Sequence, residues 1–228
     1  MSVLSSIACF HALPAAALAT LERGGFGVDP HDGAEIFPQG DPANAIYAII
    51  SGDGHVRIGS STADAKSLMV EQFQPGDIFG ELGVIDAGTR SASAMAVGHV
   101  RLWRIPAAVF MEVLNTTPEF GVALARMLTA RLRRTYTLLQ DATFATVEAR
   151  LARQLIYLAD LGGRMTEHGV RVPGRFRQVE LANLLGTTSR SIISTLNAWR
   201  EKGVVTYDTR SAQLTIRDTA VLRDLAGG

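Results

Sequence analysis

Hydrophobic residues follow three rhythms along this chain of 228 residues. From about Gly24 to Ile105 they come in short runs, "AIYAII", "HVRIG", "LMVEQF" and "VRLWRI", punctuated by Gly, Pro, Asp and Asn. Short β-rich runs with regular turn signals predict a small all-β sandwich or roll. Gly40-Asp41-Pro42 and Gly52-Asp53-Gly54 supply tight turns, since Gly and Asp tolerate the backbone angles these need. After Pro106 the period lengthens. Between Glu119 and Ala142 there is no Pro, Gly occurs only at Gly121, and Leu124, Leu128, Leu132, Thr135, Leu139 and Ala142 recur at spacings of three and four. That is one stripe on a long helix. With Arg131, Arg133 and Arg134 around it, the stripe predicts a coiled-coil seam in a symmetric dimer; packing on its own domain is the alternative.

The third rhythm begins after a break near Phe144–Thr146. Thr146 has the character of an N-cap for "VEARLARQLIYLADLGG", which stops at a Gly pair. In "RQVELANLLGTTSRSIISTLNAWREKGVV", Leu181, Leu184 and Leu185 form a short apolar face, Gly186 breaks it, and Ile192, Leu196 and Trp199 mark the buried side of a second helix. Helix, Gly-containing turn, helix is the pattern whose second helix enters a DNA major groove. Thr187, Thr188 or Ser189 can cap that helix. Ser189, Arg190 and Ser194 are the candidate base readers, and Arg190 carries the fork that bonds a guanine edge twice. "EKGVVTYDTRSAQLTIRD" reads as a two-strand wing. A helical hairpin with solvated polar residues is the plainer alternative.

Charge adds modest support. Net charge is zero, yet residues 1–145 hold 10 Arg and Lys against 14 Asp and Glu, whereas residues 146–228 hold 12 against 8. A basic carboxyl-terminal part suits a polyanion. The lone Cys9 excludes an internal disulfide framework or a Cys-rich metal site and fits a reducing cytoplasm. The apolar opening lacks a basic n-region before Arg23 and reads as a short amphipathic helix around Pro14, with Leu13, Leu18 and Leu21. No run approaches the length that spans a bilayer, so no membrane partner is expected. No metal-ligand spacing, nucleophile–base set or Walker loop appears, which argues against an enzyme, a catalytic residue or a covalent cofactor. The five His residues, His11, His31, His55, His99 and His168, read as surface or turn positions.

One stretch, "PGDIFGELGVIDAGTRSASAMAVG", holds chemistry that a plain strand does not need. Its glycines, Gly76, Gly80, Gly83 and Gly88, allow close backbone approach. Arg90 can donate charge-assisted bonds to a phosphate, Ser91 adds a hydroxyl, and Glu81 can accept from a ribose hydroxyl. An internal Arg90–Glu81 ion pair explains the same residues equally well, and the chemistry alone leaves both open.

Gly80-Glu81-Leu82-Gly83 followed by Arg90-Ser91-Ala92 resembles the phosphate-binding cassette of cyclic-nucleotide-binding domains. Phe37-Pro-Gln-Gly-Asp41 and Tyr47-Ala-Ile-Ile-Ser-Gly52 resemble the β-roll signature of those domains. With the long helix and winged helix-turn-helix, nearly the whole chain resembles the cyclic-AMP receptor protein family of bacterial transcription regulators. The resemblance implies an α+β fold: an antiparallel, jelly-roll-like β-roll over residues 1–117, a dimerisation helix and hinge over 118–145, and a winged helix-turn-helix over 146–228. It implies a site of Gly80, Glu81, Leu82, Arg90, Ser91 and Ala92, with Arg90 and Ser91 on the cyclic phosphate and Glu81 on the ribose. Thr135 and Tyr136 fall where family members hold adenine with adjacent Thr and Ser. Tyr136 departs from that pattern, so cyclic AMP leads as effector and cyclic GMP stays open. Thr188, Ser189, Arg190 and Ser194 are the implied DNA contacts; Ser189, Arg190 and Ser194 stand where relatives carry an Arg-Glu pair and a further Arg, so the usual half-site does not carry over. The implied partners are a double-stranded DNA operator, a second copy of the chain and RNA polymerase. Two rivals are a regulator of the same build that binds DNA without a nucleotide, and a nucleotide sensor acting through protein contacts.

Overall fold

Alternation and its exceptions explain how the amino-terminal strands pack. The computed structural model describes residues 2–61 and 67–227, in two compact units, residues 1–133 and 134–228. In the first unit, β1 (Phe26–Val28), β8 (Val100–Pro106), β3 (Ala45–Gly52) and β6 (Ile78–Phe79) form one antiparallel sheet in that order. A second contains β2 (Glu35–Phe37), β7 (Ser93–Val97), β4 (His55–Ser61) and β5 (Ser67–Phe73). Between them lie Phe37, Tyr47, Ile49, Val56, Phe73, Phe79, Ala94 and Leu102. "AIYAII" is apolar without alternation because β3 is buried on both faces. Tyr47 and Ile49 enter the inter-sheet core, while Ile46 and Ala48 meet a helical layer.

That layer comprises the amino-terminal segment with Leu4, Ile7 and Phe10, helix α1 (Ala15–Gly24), α3 (Ala107–Thr116) and the start of α4 (Pro118–Phe144). Pro14 sits at the N-cap of α1, just outside the helix. Phe10, Phe110 and Phe120 meet edge to face, with centroids 5.5 and 5.6 Å apart. Helix α2 (Leu82–Ile85) is a single turn between β6 and β7.

The long-helix stripe divides between two environments. Leu124 is buried and Leu128 packs on the same core, so this half follows the own-domain alternative. Leu132, Tyr136 and Leu139 are 51%, 58% and 65% exposed and leave an apolar strip along the rest of the helix.

In the second unit, α5 (Val147–Gly162) starts where expected, the Thr146 hydroxyl accepting from Ala149 N at 3.1 Å. Helices α6 (Gln178–Leu184) and α7 (Ser189–Glu201) join through Gly186, whose φ of +58° suits glycine. The predicted two-strand wing is half of a larger sheet: β11 (Val205–Asp208) and β12 (Gln213–Ile216) continue into β10 (Gly169–Arg171) and β9 (Arg164–Thr166). The added strands have three residues each, too short to show a period of two. Leu151, Leu155, Leu181, Ile192, Leu196, Trp199, Leu214 and Ile216 form this unit's core. Among the described residues no helix is long and apolar enough to cross a membrane.

Candidate functional site

The cassette is a loop held open by glycine. Gly80 has φ +79°, and Gly83 packs so closely that a Cβ would lie 2.6 Å from Thr89 O and 2.7 Å from Ala43 Cβ. The Arg90 backbone is pinned to the Gly40-Asp41 turn, donating to Asp41 O at 2.8 Å and accepting from Gly40 N at 2.9 Å. These contacts turn the Arg90 side chain inward, where the residue is 4% exposed.

Arg90 and Glu81 each find partners other than one another. They make no ion pair with each other. The Arg90 guanidinium donates to Gly80 O and Ala45 O, both at 2.7 Å, and lies 4.0 Å over the Phe37 ring. Its Nε has no hydrogen-bond partner among the described residues, and none of their carboxylates lies within ion-pair distance. Burial pulls its pKa below the ordinary value, with nearby Arg104 adding to the effect. A buried cation whose direct contacts are carbonyls and a ring face, with Asp41 and Glu81 acting only from beyond ion-pair distance, favours an arriving anion.

Glu81 is buried as well, and its partner is Arg131 of α4, with Nη1 2.8 Å from Oε1. Arg131 also donates to Ile78 O at 2.7 Å and lies 4.4 Å over Phe73. The long helix is thus bonded to both strand and cassette through one side chain. Composition shows Arg131 only as a charge beside the stripe. The available signal is its place four residues before Thr135 on the same helical face. Phe37 and Ala45 as partners of Arg90 were also missed, because both contacts depend on sheet register.

The other cassette residues differ in exposure. Ala92 is buried, Ser91 is exposed, and Leu82 is 49% exposed despite opening α2. Thr135 and Tyr136 are exposed on α4, in the stretch belonging to the second unit. His55 corrects the surface assignment of the histidines: at 2% exposed it lies in β4, and burial drives its pKa down to about 4.

At the helix-turn-helix, Thr188 is the cap among the three candidates, accepting from Ser191 N at 3.2 Å. Arg190 and Ser194 are exposed on the outer side of α7, and Ser189 is half-buried, less open than expected. Trp199 fixes the opposite side, donating from Nε1 to Glu148 of α5 at 2.8 Å.

Comparison with known proteins identifies both halves. Residues 31–117 match the cyclic nucleotide-binding domain and residues 149–225 the Crp-like helix-turn-helix domain. A CRP-like cAMP-activated global transcriptional regulator of Mycobacterium tuberculosis is 30% identical over 213 residues, 93% of this chain and 94% of the relative. The chain belongs to the CRP-like family of transcription regulators. The Cyclic AMP receptor protein of Thermus thermophilus is 30% identical over 196 residues, covering 86% of each. The solved structure of FixK2 from Bradyrhizobium japonicum shares the fold, with TM-score 0.77 and 18% identity over 88% of this chain and 96% of that one. As a CRP-like regulator, the chain joins a cyclic-nucleotide-binding domain to a helix-turn-helix DNA-binding domain.

Proposed function

We propose that this CRP-like regulator is a homodimer whose grip on DNA is set by a cyclic mononucleotide, cyclic AMP foremost. The observation that carries the reading is Arg90, a buried cation beside the glycine-built loop, with no carboxylate in ion-pair distance and no partner for its Nε among the described residues. In this reading Arg90 and Ser91 take the cyclic phosphate, Glu81 the ribose hydroxyl, and the Gly80, Leu82 and Ala92 backbone lines the loop. Thr135 and Tyr136 face the base. The exposed strip of Leu132, Tyr136 and Leu139 supports a second copy packed along α4. The names of the mycobacterial and Thermus relatives support cyclic AMP.

The nucleotide acts by favouring one arrangement of the helices, to the extent that it binds that arrangement better. Thr188, Ser189, Arg190 and Ser194 of each protomer then meet successive major grooves, ~34 Å apart on a two-fold operator. RNA polymerase is the proposed protein partner, in the cytoplasm. The functional divisions are residues 1–117, 118–145 and 146–228.

Calorimetric titration with cyclic AMP, cyclic GMP and cyclic di-GMP tests the reading. Saturable binding of cyclic AMP, lost in Arg90→Leu, is expected. Preference for cyclic GMP would reassign the base. Absence of binding by all three to folded protein would overturn nucleotide control.

A further inference from the structure

Four aromatic rings beneath the cassette form one continuous stack, and an arginine rests on the ring at each end. Tyr47 and Phe79 lie side by side across the β3–β6 pairing, with centroids 5.3 Å apart and planes 15° from parallel. Phe37 of β2 leans on both, at 5.7 and 5.9 Å, and Phe73 of β5 stacks on Phe79 at 5.9 Å. The stack therefore crosses from one sheet to the other and back, and no residue in it is more than 8% exposed. At one end the Arg90 guanidinium lies 4.0 Å over Phe37 and 5.9 Å from the Tyr47 centroid. At the other end Arg131 lies 4.4 Å over Phe73.

Packing between two sheets accounts for buried rings, yet aliphatic side chains of similar volume fill such space as well. What a ring adds is a negative face, which attracts a cation most strongly where water is excluded. Around Arg90 that attraction has a definite geometry. Its two terminal nitrogens donate to Gly80 O and Ala45 O, both at 2.7 Å, in the plane of the group. The Phe37 ring covers one face of that plane, and Nε has no partner among the described residues. An arriving phosphate bonds in the plane, so the ring holds the cation without competing with the anion. A Cβ on Gly80 would lie 2.7 Å from Arg90 Nη1 and 3.2 Å from the Phe37 ring, so glycine there lets ring and guanidinium meet.

We infer that Phe37 is a positioning residue for nucleotide binding, its ring face keeping Arg90 aimed at the phosphate position while the site is empty. Phe73 does the same for Arg131 at the other end of the stack. Without the ring contact a larger share of the empty protein holds Arg90 elsewhere, and apparent affinity falls with the competent fraction. A desolvated guanidinium–ring contact corresponds to about 10- to 30-fold in an equilibrium constant. The inference rests on the proposed nucleotide control, and one arm of its test is independent of it.

The test replaces Phe37 of the full-length protein with mono-, di- and trifluorinated phenylalanine. Each fluorine draws electron density from the ring face and barely changes the ring's size. Cyclic AMP affinity by calorimetry is expected to fall stepwise, by about 10-fold in the trifluoro variant. The same series at Phe73 should give smaller steps, because Arg131 keeps Glu81 and Ile78 O. The second arm uses nucleotide-free protein. Its Trp103 urea midpoint should fall along the Phe37 series and stay level in an Arg90→Met background, where no cation faces the ring. Affinity that stays flat along the Phe37 series, or midpoints that fall equally in both backgrounds, would overturn the inference. Should the unmodified protein bind neither cyclic AMP nor cyclic GMP, nucleotide control fails and the positioning role with it. The urea arm tells that failure from a missing contact between ring and cation.

Discussion

The Glu81–Arg131 pair gives the sharpest test of how the cassette is joined to the long helix. Glu81→Leu, Arg131→Met and the double variant form a thermodynamic cycle. The Glu81 side chain is 4% exposed and that of Arg131 16%, with 2.8 Å between the bonded atoms. Two unit charges with centres ~4 Å apart attract by about 4 kcal/mol at an effective dielectric near 20. Losing the hydration of both groups offsets part of that. Removing Arg131 alone leaves a carboxylate buried without a cation and is expected to cost about 3–4 kcal/mol. Removing Glu81 alone costs less, about 2 kcal/mol, because Arg131 keeps Ile78 O and the Phe73 ring and reaches some water. The double variant should fall well short of the sum, leaving a coupling of about 2–3 kcal/mol. The assay is urea unfolding followed by tryptophan fluorescence. Trp103 lies in the first unit and Trp199 in the second, so their transitions are fitted separately. Only the Trp103 transition should move, and about 0.5 M salt should leave most of the coupling because the pair is shielded from solvent. Single effects that add within about 0.5 kcal/mol would show that the two charges do not support each other.

Other consequences follow from burial, backbone and caps. His55 is a base whose folded pKa, about 4, lies below its ordinary 6.5, first because of burial and then because of Arg57. The unfolded chain therefore takes up a proton at this position in the window that the folded one refuses. This contribution is complete above pH 6.5 and declines as pH falls toward 4, by about 3 kcal/mol in total. The urea midpoint of the first unit should drop over that window, and less steeply in His55→Leu; equal slopes would refute the assignment. In Gly80→Ala, the new Cβ lies 2.7 Å from Arg90 Nη1 and 3.2 Å from the Phe37 ring, at φ +79°. Displacing that guanidinium should weaken cyclic-nucleotide binding at least tenfold by calorimetry, with the circular-dichroism spectrum retained. Thr188→Ala removes the α7 cap. A loss of about 1 kcal/mol in the second unit's stability is expected, with weaker operator binding by fluorescence anisotropy.

What the sequence determined by itself is local. Short β-rich runs between turn residues marked the strands, and spacings of three and four marked the helices because side-chain direction repeats with helical geometry. The Thr146 cap, and Thr188 as one of three candidates, were legible because a hydroxyl need reach only three residues along the chain. The cassette was legible as a motif because glycine and arginine are recurrent answers to close approach and phosphate charge.

The pairings came from tertiary structure. Arg90 bonds a carbonyl 45 residues away and Glu81 an arginine 50 away, distances along the chain that only register and helix docking bring together. The α4 stripe has one period throughout, yet Leu124 is buried in its own unit and Leu139 is bare. Periodicity states that a face is apolar and carries no information about what covers it. His55 became interior because its strand closes against β7, with Gly54 N donating to His99 O at 2.9 Å beside it. Arg164 and Arg171 stand opposite one another only because two three-residue strands join the wing sheet. An isolated pairing that short is marginal in water, so its existence is decided by the sheet and core that receive it.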